Sequence, residues 1–170
     1  MNSINDLPNT IPIFPLSNFI FFPNTSAPLN IFEPRYIQMI DESIKTNRMI
    51  GMAQTKNLTN PKKPELFTVG CLGKISSFNE TDDGRYIIML NGITRFNIEK
   101  EIENGKLFRE FKINFKNFED DINNREIDIS FSDLNLIFNN LKKIFQKQGY
   151  IINWNELEKQ SLDQTINTLS

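Results

Sequence analysis

The sequence predicts an α+β domain: a mostly antiparallel sheet with one inserted helix, followed by a helical C-terminal segment. Three observations carry this expectation. Over residues 107–118, Phe111, Ile113 and Phe115 alternate with Lys112, Asn114 and Lys116, the period of a half-buried strand. Two longer strand-like runs, 67–79 and 86–101, flank the turn cluster Thr81-Asp82-Asp83-Gly84, as in a long hairpin. Tyr36, Ile37, Ile40 and Ile44 recur at helical spacing, and Leu134, Ile137, Phe138, Leu141, Ile144 and Phe145 form a second apolar stripe.

Taken in order, residues 1–10 form a polar lead, and a β-rich unit spans 11–120. Residues 11–16 read as an edge strand, because Pro12 and Pro15 each lack a ladder donor. Residues 19–22 form a second extended piece closed by Pro23-Asn24. Pro34 suits the first turn of a helix over 34–46, where its missing N–H costs nothing. A strand follows over 48–54. The loop 56–65, rich in Asn, Lys and Pro, reads as exposed and mobile. Glu103-Asn104-Gly105-Lys106 turns the chain into the strand 107–118. From residue 121 to 170 the composition becomes helical. Ser132 is a candidate N-cap and Gly149 a C-terminal glycine. Asn153 and Glu156 suggest a further cap, and Leu157, Leu162, Ile166 and Leu169 a last helix. Neither glycine nor proline closes it before Ser170, so the segment reads as open to truncation.

Composition narrows the function more than any catalytic motif does. With 39% hydrophobic and 24% charged residues the chain has an ordinary globular make-up. Fifteen phenylalanines against two alanines, Ala27 and Ala53, give a bulky core. A net charge of -2 and a pI near 5.3 oppose a nucleic-acid partner, whose binders carry a basic face. The lone Cys71 permits no internal disulfide and suits a reducing cytoplasm. The start lacks the basic and apolar regions of a signal peptide, and the apolar run 19–22 is too short to span a bilayer. The chain contains no histidine, and with it goes the usual general base and the commonest metal ligand. There is no G-x-x-x-x-G-K-[ST] loop to hold nucleotide. The expectation is a protein that is not an enzyme, with no cofactor and no metal.

The pieces that remain form an ordered set: Ile11-Pro12-Ile13-Phe14-Pro15-Leu16, Ile31-Phe32-Glu33-Pro34-Arg35-Tyr36, Gly70-Cys71-Leu72-Gly73, Asp83-Gly84-Arg85-Tyr86 and Asn91-Gly92-Ile93-Thr94-Arg95-Phe96. In this order and spacing they resemble the N-terminal substrate-binding domain of Lon proteases, including free-standing bacterial versions. The resemblance implies a PUA-like, strongly curved β-barrel. It also implies a role in recognising unfolded or hydrophobic polypeptide, alone or with a separate protease or ATPase. Two other readings stand beside it: RNA binding, which PUA-like barrels perform elsewhere, and a structural or assembly role for the C-terminal helices. The resemblance also places a bulge, not a hairpin turn, at Asn91-Gly92.

Each candidate residue has a plainer alternative. The Gly70–Gly73 pair lies in a strand pattern and opens no helix, so it reads as close backbone approach, with Cys71 as a small core residue. Asp82-Asp83 and Glu119-Asp120-Asp121 read as solvated turns in preference to a cation site. Arg35 could present its planar fork to a polypeptide carboxylate or carbonyl. The favoured reading is structural: Glu33, Pro34, Arg35 and Tyr36 tie a strand end to the barrel. Removal of Arg35 would then strand a partly buried carboxylate, at about 3 kcal/mol or more. Gly84, Arg85, Gly92, Arg95 and Phe96 are read the same way, with Phe96 in the core and Arg95 paired to an acid. The better binding candidates are Phe19, Ile20, Phe21 and Phe22. Side chains alternate along a strand, so two of the four must leave the inner layer, to be covered by the C-terminal helices or left as an apolar patch.

Overall fold

The computed structural model describes residues 4–57, 63–122, 131–147 and Trp154. Its strands are β1 (Thr10–Leu16), β2 (Ser26–Ile31), β3 (Met49–Asn57), β4 (Glu65–Glu80), β5 (Tyr86–Ile102) and β6 (Glu110–Asn114). Helix α1 (Pro34–Lys45) lies between β2 and β3, and α2 (Phe131–Lys147) follows the sheet. The predicted class is the one observed: a curved, mostly antiparallel sheet with two helices. Its order is β2-β5-β4-β3-β1-β6, and β5 also pairs with β6. That extra pairing closes β5-β4-β3-β1-β6 into a ring. β5 is long enough to serve both ends, meeting β6 through Asn97–Ile102 and β2 through Tyr86–Asn91.

Two apolar cores lie on opposite faces of this sheet. Inside the ring, Phe96, Leu72, Ile11, Ile13 and Ile113 are almost fully buried. On the other face, α1 contributes Tyr36, Met39 and Ile40, which meet Phe14, Ile50, Leu90 and the inward residues of β2. The β4–β5 hairpin turns at Gly84, whose φ of 78° is the left-handed value a glycine adopts most cheaply. Register slips at Ile93, between Leu72/Thr94 and Gly73/Gly92, and again at Ser76. The first is the bulge placed at Asn91-Gly92. Such bulges bend the hairpin, and the curvature of the sheet follows.

Three expectations need correction. β1 is not an edge strand, for it runs between β6, paired at residues 10–12, and β3, paired in parallel at 13–16. The prolines fit because the ladder alternates. Ile13 N–H donates to the Arg109 carbonyl and the Asn9 carbonyl accepts from Ile113 N–H, so odd-numbered groups face β6. Pro12 therefore faces β3 just ahead of its first partner, and Pro15 faces β6 beyond Arg109. Neither removes a bond. Secondly, residues 19–22 form no strand. The second strand is β2, where Ala27, Leu29 and Ile31 point inward and Ser26, Pro28 and Asn30 outward. Thirdly, α2 begins at Phe131, so Ser132 is already helical rather than the cap. Of the loop expected over 56–65, residues 58–62 lie outside those described, while Lys56 and Asn57 end β3 and Glu65 begins β4. Gly149 and the last helix also lie outside, apart from Trp154, which stands edge-on to Phe145 at 6.1 Å.

Candidate functional site

The corner between β2 and α1 is built by Glu33-Pro34-Arg35-Tyr36. Pro34 occupies the first helical turn, and the Glu33 carbonyl accepts from the Tyr36 and Ile37 N–H groups. Tyr36 is buried with its ring edge-on to Phe14 at 4.4 Å, and burial raises its phenol above the ordinary value. The Arg35 guanidinium lies 4.5 Å over the Tyr36 ring, with Nη2 2.8 Å from Glu33 Oε2. The two side chains remain 29% and 43% exposed, which lowers the cost to expect for losing Arg35: partly solvated pairs contribute at most about 1 kcal/mol.

Residues 19–22 wind irregularly across the sheet instead of alternating along it. Phe21 is buried beside Phe14 and Tyr36 in the α1 core, and Phe19 stacks on it at 6.4 Å. Ile20 is exposed. The Phe22 carbonyl accepts from Thr25 Oγ1 at 2.8 Å and presses on the space where a Gly92 Cβ would stand. Gly92 in turn donates its N–H to Thr25 and accepts from Asn24. The bulge therefore clamps this segment to β5.

The remaining signature residues fall inside the scaffold. A Cβ at Gly70 would sit 2.5 Å from the Met52 carbonyl and 2.6 Å from Phe96, and one at Gly73 2.5 Å from Leu90. Cys71 between them is buried, and burial pushes its thiol well above the ordinary range. Phe96 fills the ring centre. Arg95 forks onto Asp121 through Nε at 2.9 Å and Nη2 at 2.6 Å. Burial raises the Asp121 carboxyl, but the donors from Arg95 outweigh it and hold it below the usual range. At the hairpin turn, the Arg85 guanidinium and Thr81 hydroxyl hold exposed Asp83 down to about 2. Among the described residues no three His, Cys, Asp or Glu side chains gather as a metal site would require.

One surface escaped the sequence reading. Thr25 and Gly92 bond through the Thr25 carbonyl, so the odd-numbered groups of β2 face β5 and those of Ser26, Pro28 and Asn30 face away. No described strand pairs with that outer edge. Exposed apolar side chains stand near its end on both faces of the sheet: Ile87, paired with Asn30, on one, and Phe78, edge-on to Tyr86 at 4.7 Å, on the other. Phe32, Ile87 and Phe78 are 65%, 46% and 41% exposed. The signal was present in the alternation Ser-Ala-Pro-Leu-Asn-Ile, and Phe32 itself belongs to the signature hexapeptide.

Similar proteins share this scaffold. The N-terminal domain of a Lon protease from the Mycobacterium avium complex superposes with a TM-score of 0.54 at 12% identity, over 82% of this chain and 69% of that one. A Lon N-terminal domain protein from Xanthomonas campestris gives 0.52 at 21% identity, over 62% and 59%. By sequence, a Lon protease of Parabacteroides distasonis is 30% identical over 102 residues, 59% of this chain and 12% of that protein. Lon protease 2 of Bdellovibrio bacteriovorus is 28% identical over 96 residues, 55% and 12%. This chain thus matches only about 12% of the length of these proteases. Residues 10–170 match the family described as the ATP-dependent protease La (LON) substrate-binding domain, and the chain belongs to that family.

Proposed function

We propose that this chain is a non-catalytic module that holds unfolded, apolar-rich polypeptide in extended form along the outer edge of β2. The observation that carries the reading is that edge itself, unpaired among the described strands and ending at exposed Phe32, Ile87 and Phe78. A client strand would bond to the outward backbone groups of Ser26 and Asn30, and its alternating side chains would lie towards the exposed apolar residues on the two faces of the sheet. Pro28 has no N–H to offer, so the edge presents more acceptors than donors, which opposes pairing between two copies. Residues 11–120 would form the binding unit, with 121–170 as an appendage to it. Arg35, Phe19, Phe21 and Phe22 support the surface, and Ile20 flanks it. The sequence has no histidine, its one thiol is buried, and a cytoplasmic setting suits that thiol. Among the described residues no helix is long and apolar enough to cross a membrane. A separate protease or ATPase would supply turnover.

Fluorescence anisotropy with an unfolded apolar-rich peptide, run beside single-stranded RNA over rising salt, tests this. Peptide affinity should be micromolar or weaker and insensitive to salt, since apolar burial is not screened, and Phe32→Ser with Ile87→Ser should abolish it. The chain alone should cleave neither ATP nor casein. RNA binding with a steep salt slope, and no peptide binding, would replace this reading with the nucleic-acid one.

A further inference from the structure

A second concave site lies where the ring opens beneath the two bulges, a cavity of about 640 Å³. One wall is polar. Register sets Lys74 opposite Asn91 on β5 and opposite Met49 on β3, whose preceding residue is Arg48. Arg48, Lys74 and Asn91 all line the cavity. Among the described residues neither Arg48 nor Lys74 has an ion-pair partner. Asn91 accepts from Ser26 and Ser76 hydroxyls through Oδ1, at 3.0 and 3.3 Å, which leaves its amide N–H groups as donors. The nearest acid in the lining, Asp121, is already saturated by the Arg95 fork. The other wall is apolar, from Leu7, Ile93 and Ile122.

Arg48 adds an independent observation. It has a φ of 61°, held by its N–H to Ser43 O and by Ile75 N–H to its own carbonyl, both at 2.8 Å. At this turn after α1 a glycine would be cheaper, because a long side chain is disfavoured in the left-handed region. A long side chain in this strained backbone position, at the rim of a cavity, is a reason to look for a function there.

We propose that this cavity takes a carboxylate carried on an apolar residue, the free C-terminus of a polypeptide. The guanidinium, ammonium and amide donors would hold the carboxylate, and the apolar wall the last side chain. This deepens the reading of the chain as a polypeptide-holding module and rests on it.

The test uses a fluorescein-labelled peptide ending in Leu-Leu with a free carboxylate, its C-terminal amide, and inorganic phosphate as competitor. The free acid should bind about tenfold more tightly than the amide, the scale of one charge-assisted contact. Arg48→Gly should erase that difference while the melting temperature stays level or rises, and Lys74→Gln should reduce it. Equal binding of acid and amide, or a difference that survives Arg48→Gly, overturns the proposal. Phosphate displacing the peptide at equal concentration also overturns it, by showing a bare-anion site. Failure here with retained dependence on Phe32 and Ile87 leaves the β2 reading standing; loss of all peptide binding removes both.

Discussion

The ring and the lobe around α1 share β4 and β5 yet solve the sheet-edge problem in opposite ways. The ring closes, so its strands have neighbours on both sides, and its rim is pinned by Arg109, whose Nε lies 2.9 Å from Glu101 Oε1. The lobe ends in β2, with one edge unpaired among the described strands and apolar side chains left in water. Closure concentrates stability in the ring. The lobe keeps unpaired edge groups, and it is this less closed part of the fold to which we assign the proposed client.

The most damaging way to break this contrast is from the ring centre. Phe96 is fully buried, so Phe96→Ala should cost about 3–5 kcal/mol and lower Tm by roughly 10 °C or more. A small calorimetric shift would mean that the ring is not the stable half.

Gly92→Ala strikes the joint between the halves. Its Cβ meets the Phe22 carbonyl, a backbone atom with little room to move, at about 1–3 kcal/mol. Amide exchange should speed up in residues 22–31 and stay slow in β3 and β6. Uniform acceleration would show one cooperative unit instead of two.

Asp121→Asn weakens the ring rim in a pH-dependent manner. The folded carboxyl lies below its unfolded value of about 3.9, so its contribution is present above that value and lost as pH falls through the folded one. Melting curves should show a gap from the parent chain that is constant near neutrality and closes as the pH is taken below about 4. A gap independent of pH would remove the Arg95 pair as its cause.

Arg35→Ala should have the smallest effect, about 1 kcal/mol or less, since the Glu33 pair and the Tyr36 ring contact are partly solvated. A loss of many degrees in Tm would show that this corner anchors the lobe more firmly than its exposure suggests.

The ring's strands and α1 were legible because their apolar periods are long and clean: Phe111, Ile113 and Phe115 point inward, and α1 starts at Pro34. The bulge at Asn91-Gly92 could be placed through the resemblance, and through the apolar residues that continue on both sides of it, although the dipeptide rule favours a turn there. β2 went unread because six residues with a central proline look weaker than the four apolar residues just before it. β1 was misassigned because proline was weighed without the alternation of ladder bonds. The cavity at Arg48 depends on register between three strands and on a left-handed backbone, and neither has a local sequence signature.

The pairing of Ile11 with Phe111 sets a timetable. The ring cannot close until a hundred further residues have been made, which takes a ribosome roughly 5–20 s at ordinary elongation rates. For that interval Ile11 and Ile13 have no completed barrel to enter. During its own synthesis the chain is thus itself an unfolded, apolar-rich polypeptide, the class of client we propose for it.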